Sequence, residues 1–276
     1  MLFNIGDFVT RKSHGNDIVF KVTKIEDEIA YLIGVDIRLV ADSNIDDLVL
    51  IDKQDKTQDE EITDRLEDEL SLDRSEYFYL PGKVLHIDSD EEYLKRCMKL
   101  YKKMKIMAYG ISLEESEIKN NIDKYLREIN PDIVVITGHD AYYKKNKKGK
   151  EKSEYKNSDN FIKAVQEARK YEKSHDKLII IAGACQSNYE ELIKSGANFA
   201  SSPKRINIHA LDPAIVASKI ALSSKNEPVD LIKILKSTKY KEDGMGGIIT
   251  NGTMYRGYPR WILLKLRKIW KHKKEK

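Results

Sequence analysis

The segment "DIVVITGHD", residues 132–140, is an apolar run that ends in a glycine, a histidine and an aspartate. A second segment, "KLIIIAGAC", residues 177–185, has the same order of features and ends in a cysteine. Short β-branched runs bounded by glycine are typical of buried strands. The two segments therefore predict two core strands, each followed by a side chain that can carry chemistry.

Strand-like and helix-like segments alternate along the chain from residue 77 onward. Apolar strands are predicted at 82–88, 106–112, 132–138, 177–184 and 198–202, and helices at 91–105, 114–130, 160–173, 188–196 and 212–224. Asp212 is expected to cap the last of these helices, with Pro213 in its first turn. Strands that are apolar on both faces and alternate with helices indicate an α/β fold with a doubly wound, mostly parallel sheet.

The first 51 residues carry a different pattern, that of a small β module. Five short strand-like runs are separated by turn signals such as Gly15-Asn16 and Gly34, which predicts an SH3-like barrel or meander. Residues 52–76 are acidic and lack a sustained apolar run, so we expect a solvated linker or a loosely held helix. The predicted domains are the β module at 1–51, the acidic linker at 52–76, and an α/β domain at 77–276 that ends in a basic tail.

Composition narrows the class of protein. The chain has 276 residues, of which 41% are hydrophobic, and a net charge of +4 that does not by itself point to nucleic acid. No apolar run approaches the roughly 20 residues that cross a bilayer, and the N-terminus lacks the features of a signal peptide. The two cysteines, Cys97 and Cys185, do not suggest a disulfide framework. We therefore expect a soluble cytoplasmic protein.

His139 and Cys185 form the candidate catalytic pair. Functional groups in open parallel sheets collect at the carboxyl ends of the strands, and neighbouring strands lie about 4.8 Å apart. The imidazole can exchange a proton with the thiol, and the helix that follows Cys185, capped by Ser187 or Asn188, would favour the thiolate.

The turns around this pair are expected to support it. Gly138, Asp140 and Gly183 lie in the two turns, where glycine permits close backbone approach. The N–H group of Cys185 and one near Gly138 and His139 are the expected oxyanion donors.

Each of these residues also has a purely structural interpretation. A cysteine at a strand end commonly packs in the core, and we interpret Cys97 in that way. His209 fits either a place near the site or a surface or capping role. A metal site is less favoured because the chain lacks Cys-x-x-Cys and His-x-x-x-His spacings. "GMGG" at 244–247 does not follow a strand-like run, so it is not interpreted as a phosphate loop.

Long blocks of the sequence resemble the YabG family of sporulation-specific proteases. They are "IGDFVTRKSHGNDIVFKV" (5–22), "PGKVLHIDSDEEYL" (81–94), "DIVVITGHDAYY" (132–143), "IAGACQSNYEELIKSGANFASSP" (181–203) and "INIHALDPAIVASKIA" (206–221). A histidine strand that precedes a cysteine strand is also similar, more distantly, to the caspase and clostripain group of cysteine peptidases. There the histidine precedes its glycine, whereas here Gly138 comes before His139.

The resemblance implies a caspase-like cysteine endopeptidase that needs no metal or organic cofactor. It would cleave protein substrates of the spore coat and cortex after arginine, in the mother cell or the forming coat, with His139 and Cys185 as the catalytic pair. Such specificity requires an acidic pocket, for which Asp140 and Asp212 are candidates without an assignment. The rival interpretation is a non-enzymatic spore-assembly or binding protein that uses the β module and the basic tracts at 144–156 and 260–276.

Overall fold

The computed structural model describes residues 3–51, 58–70, 72, 76–143 and 154–259. Five antiparallel strands form the N-terminal sheet in the order β4-β3-β2-β1-β5. Their bounds are β1 Phe8–Arg11, β2 Phe20–Glu26, β3 Ile29–Gly34, β4 Val40–Asn44 and β5 Leu48–Leu50, with single 3-10 turns at Lys12–His14 and Ile45–Asp47. Val9, Phe20, Val22 and Leu32 fill a small separate core. The strands predicted for this segment are confirmed, and they form an antiparallel sheet.

The rest of the described chain contains eight α-helices and eight further strands. The strands are β6 Phe78–Leu80, β7 Val84–Asp88, β8 Ala108–Ser112, β9 Ile133–Thr137, β10 Ile179–Ala182, β11 Phe199–Ser201, β12 Met245–Gly247 and β13 Tyr255–Gly257. The helices are α1 Gln58–Glu69, α2 Glu91–Lys103, α3 Glu115–Ile129, α4 Ser158–Tyr171, α5 Tyr189–Lys194, α6 Asp212–Ala221, α7 Leu231–Lys236 and α8 Lys241–Gly244.

The central sheet has six strands in the order β12-β11-β10-β9-β7-β8. All neighbours pair parallel except β12, which pairs antiparallel with β11 at the edge. Side chains along β9 alternate between two cores, because successive residues of a strand point to opposite faces. Val135 packs with residues of α2 and α6, and Val134 packs with residues of α3 and α4. The predicted doubly wound, mostly parallel α/β sheet is confirmed.

The acidic segment after the module contains a packed helix. Leu66 of α1 is fully buried in the core of the α/β domain. Asp59 pairs with Arg96 at 2.6 Å, and Glu69 pairs with the buried Lys219 at 2.6 Å. The solvated linker expected for this segment is therefore, over Gln58–Glu69, a docked helix whose acidic face meets basic side chains of other helices.

A few local expectations differ from the structure. Asp212 is the first residue of α6 rather than its cap, because its carboxylate accepts from the His209 and Lys239 N–H groups, both at 3.0 Å. The "GMGG" segment includes an edge strand, β12, which pairs with β11.

No helix among the described residues is long and apolar enough to cross a membrane. The basic tail at 260–276 and most of the lysine-rich stretch, residues 144–153, lie outside the described residues.

Candidate active site

His139 lies at the carboxyl edge of the central sheet, two residues after β9 ends. Its Nε2 is 3.2 Å from Oδ2 of Asp90, and its ring centroid lies 5.9 Å from that of Tyr93. Asp90 is the N-cap of α2, where Oδ1 accepts from the Tyr93 N–H at 3.0 Å. Burial alone would raise the pKa of Asp90, but the bonds from His139 and Tyr93 lower it. A carboxylate held ionised in this way can orient an imidazole and stabilise its charged form.

Cys185 lies three residues beyond the end of β10, the strand that pairs with β9. The thiol is 2% exposed. Sγ donates to the carbonyl of Arg38 at 2.9 Å and accepts from the Ile208 N–H at 3.3 Å. Burial raises the pKa of Cys185 to about 12. Although Asn188 caps α5 as expected, the thiol in this conformation is protonated at neutral pH.

The strand pairing brings His139 and Cys185 to the same edge of the sheet. Ile136 pairs with Ala182, so the two strands end at the same level. Within the described part of the chain, the His139 ring and the Cys185 thiol bond to other partners and not to each other. The main-chain groups of Arg38 and Ile208 are the ones that bond to the sulfur.

Gly138 and Gly183 occupy positions where a side chain has no room. A Cβ on Gly138 would lie 2.6 Å from Oγ of Ser89, and one on Gly183 would lie 2.8 Å from Cδ1 of Leu192. Gly183 also has a φ of +102°, which strains any residue with a Cβ. Both turns therefore depend on glycine, in line with the close backbone approach expected from the sequence.

Asp140 ties the histidine turn to the cysteine turn. Its Oδ1 accepts from the N–H groups of Ala141 at 2.9 Å and Asn157 at 2.7 Å. Its Oδ2 accepts from the hydroxyl groups of Ser158 and, at 2.9 Å, Ser187. Burial raises the pKa of Asp140 despite these bonds. The carboxylate is engaged within the turns, which suits the support role expected from the sequence.

The oxyanion donors expected from the sequence have different surroundings. The His139 N–H already donates to Oε1 of Glu115 at 2.8 Å, so it is not available to a substrate. The Cys185 N–H makes no hydrogen bond to any other described residue. Unlike the His139 N–H, the Cys185 N–H thus has no protein acceptor among the described residues.

Arg38 and Asp88 form a buried ion pair beside these residues. Arg38 belongs to the N-terminal module and is 1% exposed, and its Nη1 and Nη2 donate to Oδ1 and Oδ2 of Asp88 at 2.8 and 2.6 Å. Thr137 donates to the same Oδ2 at 2.7 Å. Burial would raise the pKa of Asp88, but the charge and hydrogen bonds of Arg38, together with the contact with His86, outweigh it and hold that pKa far below its usual range. A buried pair of this kind is stable only when both partners are present.

Sequence reasoning did not single out Asp88, Asp90 or Arg38. Asp88 ends a strand that was predicted, and Asp90 follows it by two residues, so the rule that led to His139 and Cys185 applies equally to "HIDSD" at 86–90. Arg38 carried no such signal, because it lies in the module rather than at an edge of the predicted sheet. The candidate pocket acids, Asp140 and Asp212, both accept from neighbouring backbone groups, whereas Asp88 pairs with an arginine.

Two of the other histidines, His86 and His209, and the second cysteine, Cys97, are buried structural groups. The Cys97 thiol donates to the Ala210 carbonyl at 3.6 Å, and His86 bonds to Tyr101 at 3.0 Å. His209 accepts from the Leu211 N–H at 3.2 Å, and burial lowers its pKa to about 3. Among the residues that the structure describes, no group of three or more His, Cys, Asp or Glu side chains is arranged to hold a metal ion.

Comparison with known proteins identifies the family. The family model of the YabG peptidase U57 matches residues 4–259. The chain is 41% identical to the sporulation-specific protease YabG of Bacillus subtilis (strain 168) over 286 aligned positions, which cover 94% of this chain and 99% of that protein. No solved structure matches the chain significantly. A peptidase family does not favour the rival interpretation of a non-enzymatic assembly protein. The chain belongs to the YabG family of sporulation-specific peptidases.

Proposed function

We propose that the chain is a cysteine endopeptidase in which Cys185 is the nucleophile and His139 is the general acid and base. The observation that carries this proposal is the 2.9 Å distance between Sγ of Cys185 and a main-chain carbonyl oxygen, that of Arg38. This hydrogen bond places a peptide carbonyl group in contact with the sulfur, and acyl transfer requires the carbonyl carbon of such a group within reach of the thiolate. His139, with Asp90 behind its ring, lies at the same sheet edge.

The proposed reaction begins when His139 takes the proton of the Cys185 thiol. The sulfur then bonds to the carbonyl carbon of the substrate, and the Cys185 N–H donates to the oxygen that becomes negative. His139 returns the proton to the departing amine as the C–N bond breaks. A water molecule, deprotonated by the same imidazole, attacks the acyl-enzyme and releases the acid and the free thiol.

The Asp90 carboxylate is proposed to orient the His139 ring for this reaction. Because Nε2 of His139 faces Asp90, Nδ1 is the nitrogen left to exchange a proton with the thiol and the amine. The carboxylate also stabilises the imidazolium that forms in the transition state. Asp90 is therefore proposed as the positioning residue for His139.

The finer description of fold and substrate belongs to the same proposal. We infer a caspase-like peptidase domain at 77–276, joined through 52–76 to an SH3-like module at 1–51. Its parallel strands have the order 2-1-3-4-5, in which ligands bind outside the carboxyl ends of the strands. Proteins of the spore coat and cortex, cleaved after arginine in the mother cell or forming coat of a sporulating bacterium, are the proposed substrates.

The test is cleavage of a peptide with a single arginine by the purified full chain. Cys185→Ala and His139→Ala should each abolish cleavage, while Cys97→Ala, which removes the other buried thiol, should retain it. Circular dichroism of each variant shows whether the fold is intact. Measurable cleavage at the same rate by the parent chain, Cys185→Ala and His139→Ala would refute the proposed catalytic pair.

A further inference from the structure

The connection between β3 and β4 leaves the N-terminal sheet and lies on the carboxyl edge of the central sheet. The Ala210 N–H donates to the carbonyl of Asp36 at 3.1 Å, and the Arg38 N–H donates to the carbonyl of Ile208 at 3.2 Å. These bonds belong to an antiparallel bridge between the two segments. Extended peptides bind to many proteins by adding a strand in this way. Residues 36–38 are thus held by the α/β domain as a bound peptide would be.

The side chain of Arg38 fills a pocket whose far end is the Asp88 carboxylate. Nη1 donates to one carboxylate oxygen, Oδ1, and Nη2 donates to the other, Oδ2. The guanidinium carbon lies 4.8 Å from the centroid of the Tyr93 ring, which forms one wall. A fork-shaped ion pair beside an aromatic ring selects a planar guanidinium over an ammonium or a neutral side chain. The pocket therefore has the chemistry of an arginine-reading site.

Arg38 combines two features expected of the residue before a scissile bond, namely a side chain in an acidic pocket and a carbonyl group in contact with the nucleophile. The side chain of Arg38 enters the acidic pocket, and its carbonyl oxygen lies 2.9 Å from Sγ of Cys185. An ion pair that only joins two parts of the chain would show the first feature without the second. In a peptidase, the pocket that binds the substrate side chain lies next to the nucleophile that cleaves after that residue. Arg38 places the Asp88 pocket and the Cys185 sulfur in this relation.

We propose that Asp88 selects arginine in the primary specificity pocket, and that residues 34–39 fill the substrate site as a plug that blocks Cys185 in this conformation. This inference rests on the catalytic role of Cys185 proposed above. It adds to the proposed function Asp88 as the residue that recognises the substrate side chain, and residues 34–39 as the segment that occupies the substrate site.

The backbone around Arg38 explains why this segment acts as a plug. The Leu39 N–H, which would be the departing amine, donates to the carbonyl of Ile37 at 2.8 Å, and the carbonyl of Leu39 accepts from the Gly34 N–H at 2.7 Å. The Tyr93 hydroxyl donates to the carbonyls of Gly34 at 2.8 Å and Ile37 at 3.0 Å. The chain therefore turns back into β4 immediately after Arg38. An amine tethered there stays next to the carbonyl, which favours the intact peptide bond over release.

The plug is tested by the rate at which iodoacetamide alkylates Cys185, measured by mass spectrometry of the peptide that contains it. Arg38→Gln removes the charge that anchors the loop, so alkylation should be faster by about tenfold or more. Arg11→Gln is the matched control, because it makes the same change in the module at a side chain that lies over Phe20. Equal rates in Arg38→Gln, Arg11→Gln and the parent would overturn the plug.

The role of Asp88 is tested in the Arg38→Gln background, so that Asp88→Asn does not leave a buried arginine without its carboxylate. A peptide that ends in arginine amide should protect Cys185 of Arg38→Gln from alkylation, and the same peptide with citrulline, the neutral isostere, should protect about tenfold less well. In Arg38→Gln/Asp88→Asn the arginine and citrulline peptides should protect alike. A persistent preference for arginine in the double variant would remove Asp88 from the pocket.

Alkylation and peptide protection do not require catalysis, so they separate this inference from the proposed function. If Arg38→Gln exposes Cys185 and binds the arginine peptide but cleaves nothing, the pocket and plug stand and the peptidase proposal fails. If the parent chain cleaves after arginine while Arg38→Gln changes neither alkylation nor protection, the peptidase stands and the plug fails. Thermal unfolding of each variant confirms that the compared proteins are folded.

Discussion

Oδ2 of Asp90 lies 3.2 Å from Nε2 of His139, while Oδ1 of the same carboxylate caps helix α2. One side chain therefore serves the helix that begins at Glu91 and the imidazole at the sheet edge. The two roles can be separated by substitution, because a cap needs only an oxygen acceptor whereas support of an imidazolium needs a negative charge.

Asp90→Asn should lower kcat for an arginine peptide by about tenfold or more, since the amide does not stabilise a charged His139. Its KM should change little, and its free energy of unfolding should fall by less than about 0.5 kcal/mol because asparagine caps helices as well as aspartate does. Asp90→Ala also removes the oxygen that caps α2, so its free energy of unfolding should fall by about 1 kcal/mol more than that of Asp90→Asn. Steady-state kinetics and urea unfolding provide both values, and an unchanged kcat in Asp90→Asn would exclude the positioning role.

Cys185 should make the protein less stable in alkali. The unfolded thiol loses its proton near pH 8.5, whereas the folded thiol, with a pKa of about 12, keeps it. Above about pH 9 the unfolded state binds fewer protons, so stability falls with rising pH by about 1.4 kcal/mol per unit for each such thiol. The contribution is fully present below pH 8.5 and is lost as the pH approaches about 12.

Urea unfolding between about pH 9 and pH 11 measures this slope. Cys185→Ala should reduce the decline by about one thiol's share, and so should Cys97→Ala, because burial also raises the pKa of Cys97 to about 12. Parallel declines in Cys185→Ala and the parent chain would show that the thiol is ionised in the folded protein at these pH values.

Gly183→Ala should destabilise the turn before Cys185 by about 1–3 kcal/mol, because it combines a strained φ with a clash. Gly6→Ala is the matched control. Gly6 has a φ of +100°, close to the +102° of Gly183, but a Cβ there meets nothing within 4 Å. Chemical denaturation should therefore give a larger loss at Gly183 than at Gly6. Equal losses would mean that Leu192 moves aside at no cost.

Leu66→Ala should cost about 2–5 kcal/mol in the free energy of unfolding, because the side chain is fully buried in the main core. Glu60→Ala, on the exposed side of the same helix, should stay within about 0.5 kcal/mol of the parent. Urea denaturation of the two variants decides whether α1 is a docked part of the fold. Similar small changes in both variants would mean that this segment is the solvated linker that its acidic composition predicts.

Five of the six strands of the central sheet could be predicted from sequence because they lie in short apolar runs, whereas the edge strand β12 could not. The same periodicity gave the flanking helices to within a few residues, and the carboxyl-end rule led to His139 and Cys185. That rule also covers Asp88 and Asp90, whose strand was predicted but whose acidic residues were not weighed as part of a site.

Arg38 and α1 could not be predicted because their environments are set by distant parts of the chain. Arg38 is one of several module cations in the sequence, and it becomes distinctive only through contacts with Asp88 and Cys185. The Cys185 thiol illustrates the same limit. The local sequence suggested a helix terminus that favours the thiolate, whereas burial under the Arg38 loop, which local sequence does not encode, sets its pKa.

The loop that carries Arg38 has consequences for how the molecule assembles. Its ion pair spans 50 residues of chain and its bond to the cysteine spans 147. During synthesis the module emerges long before the segment that contains Ile208, so its loop has no docking surface until the last parallel strands are in place. Docking of this loop is therefore a late event of folding, and Arg38 lacks its carboxylate partner until the α/β domain supplies Asp88.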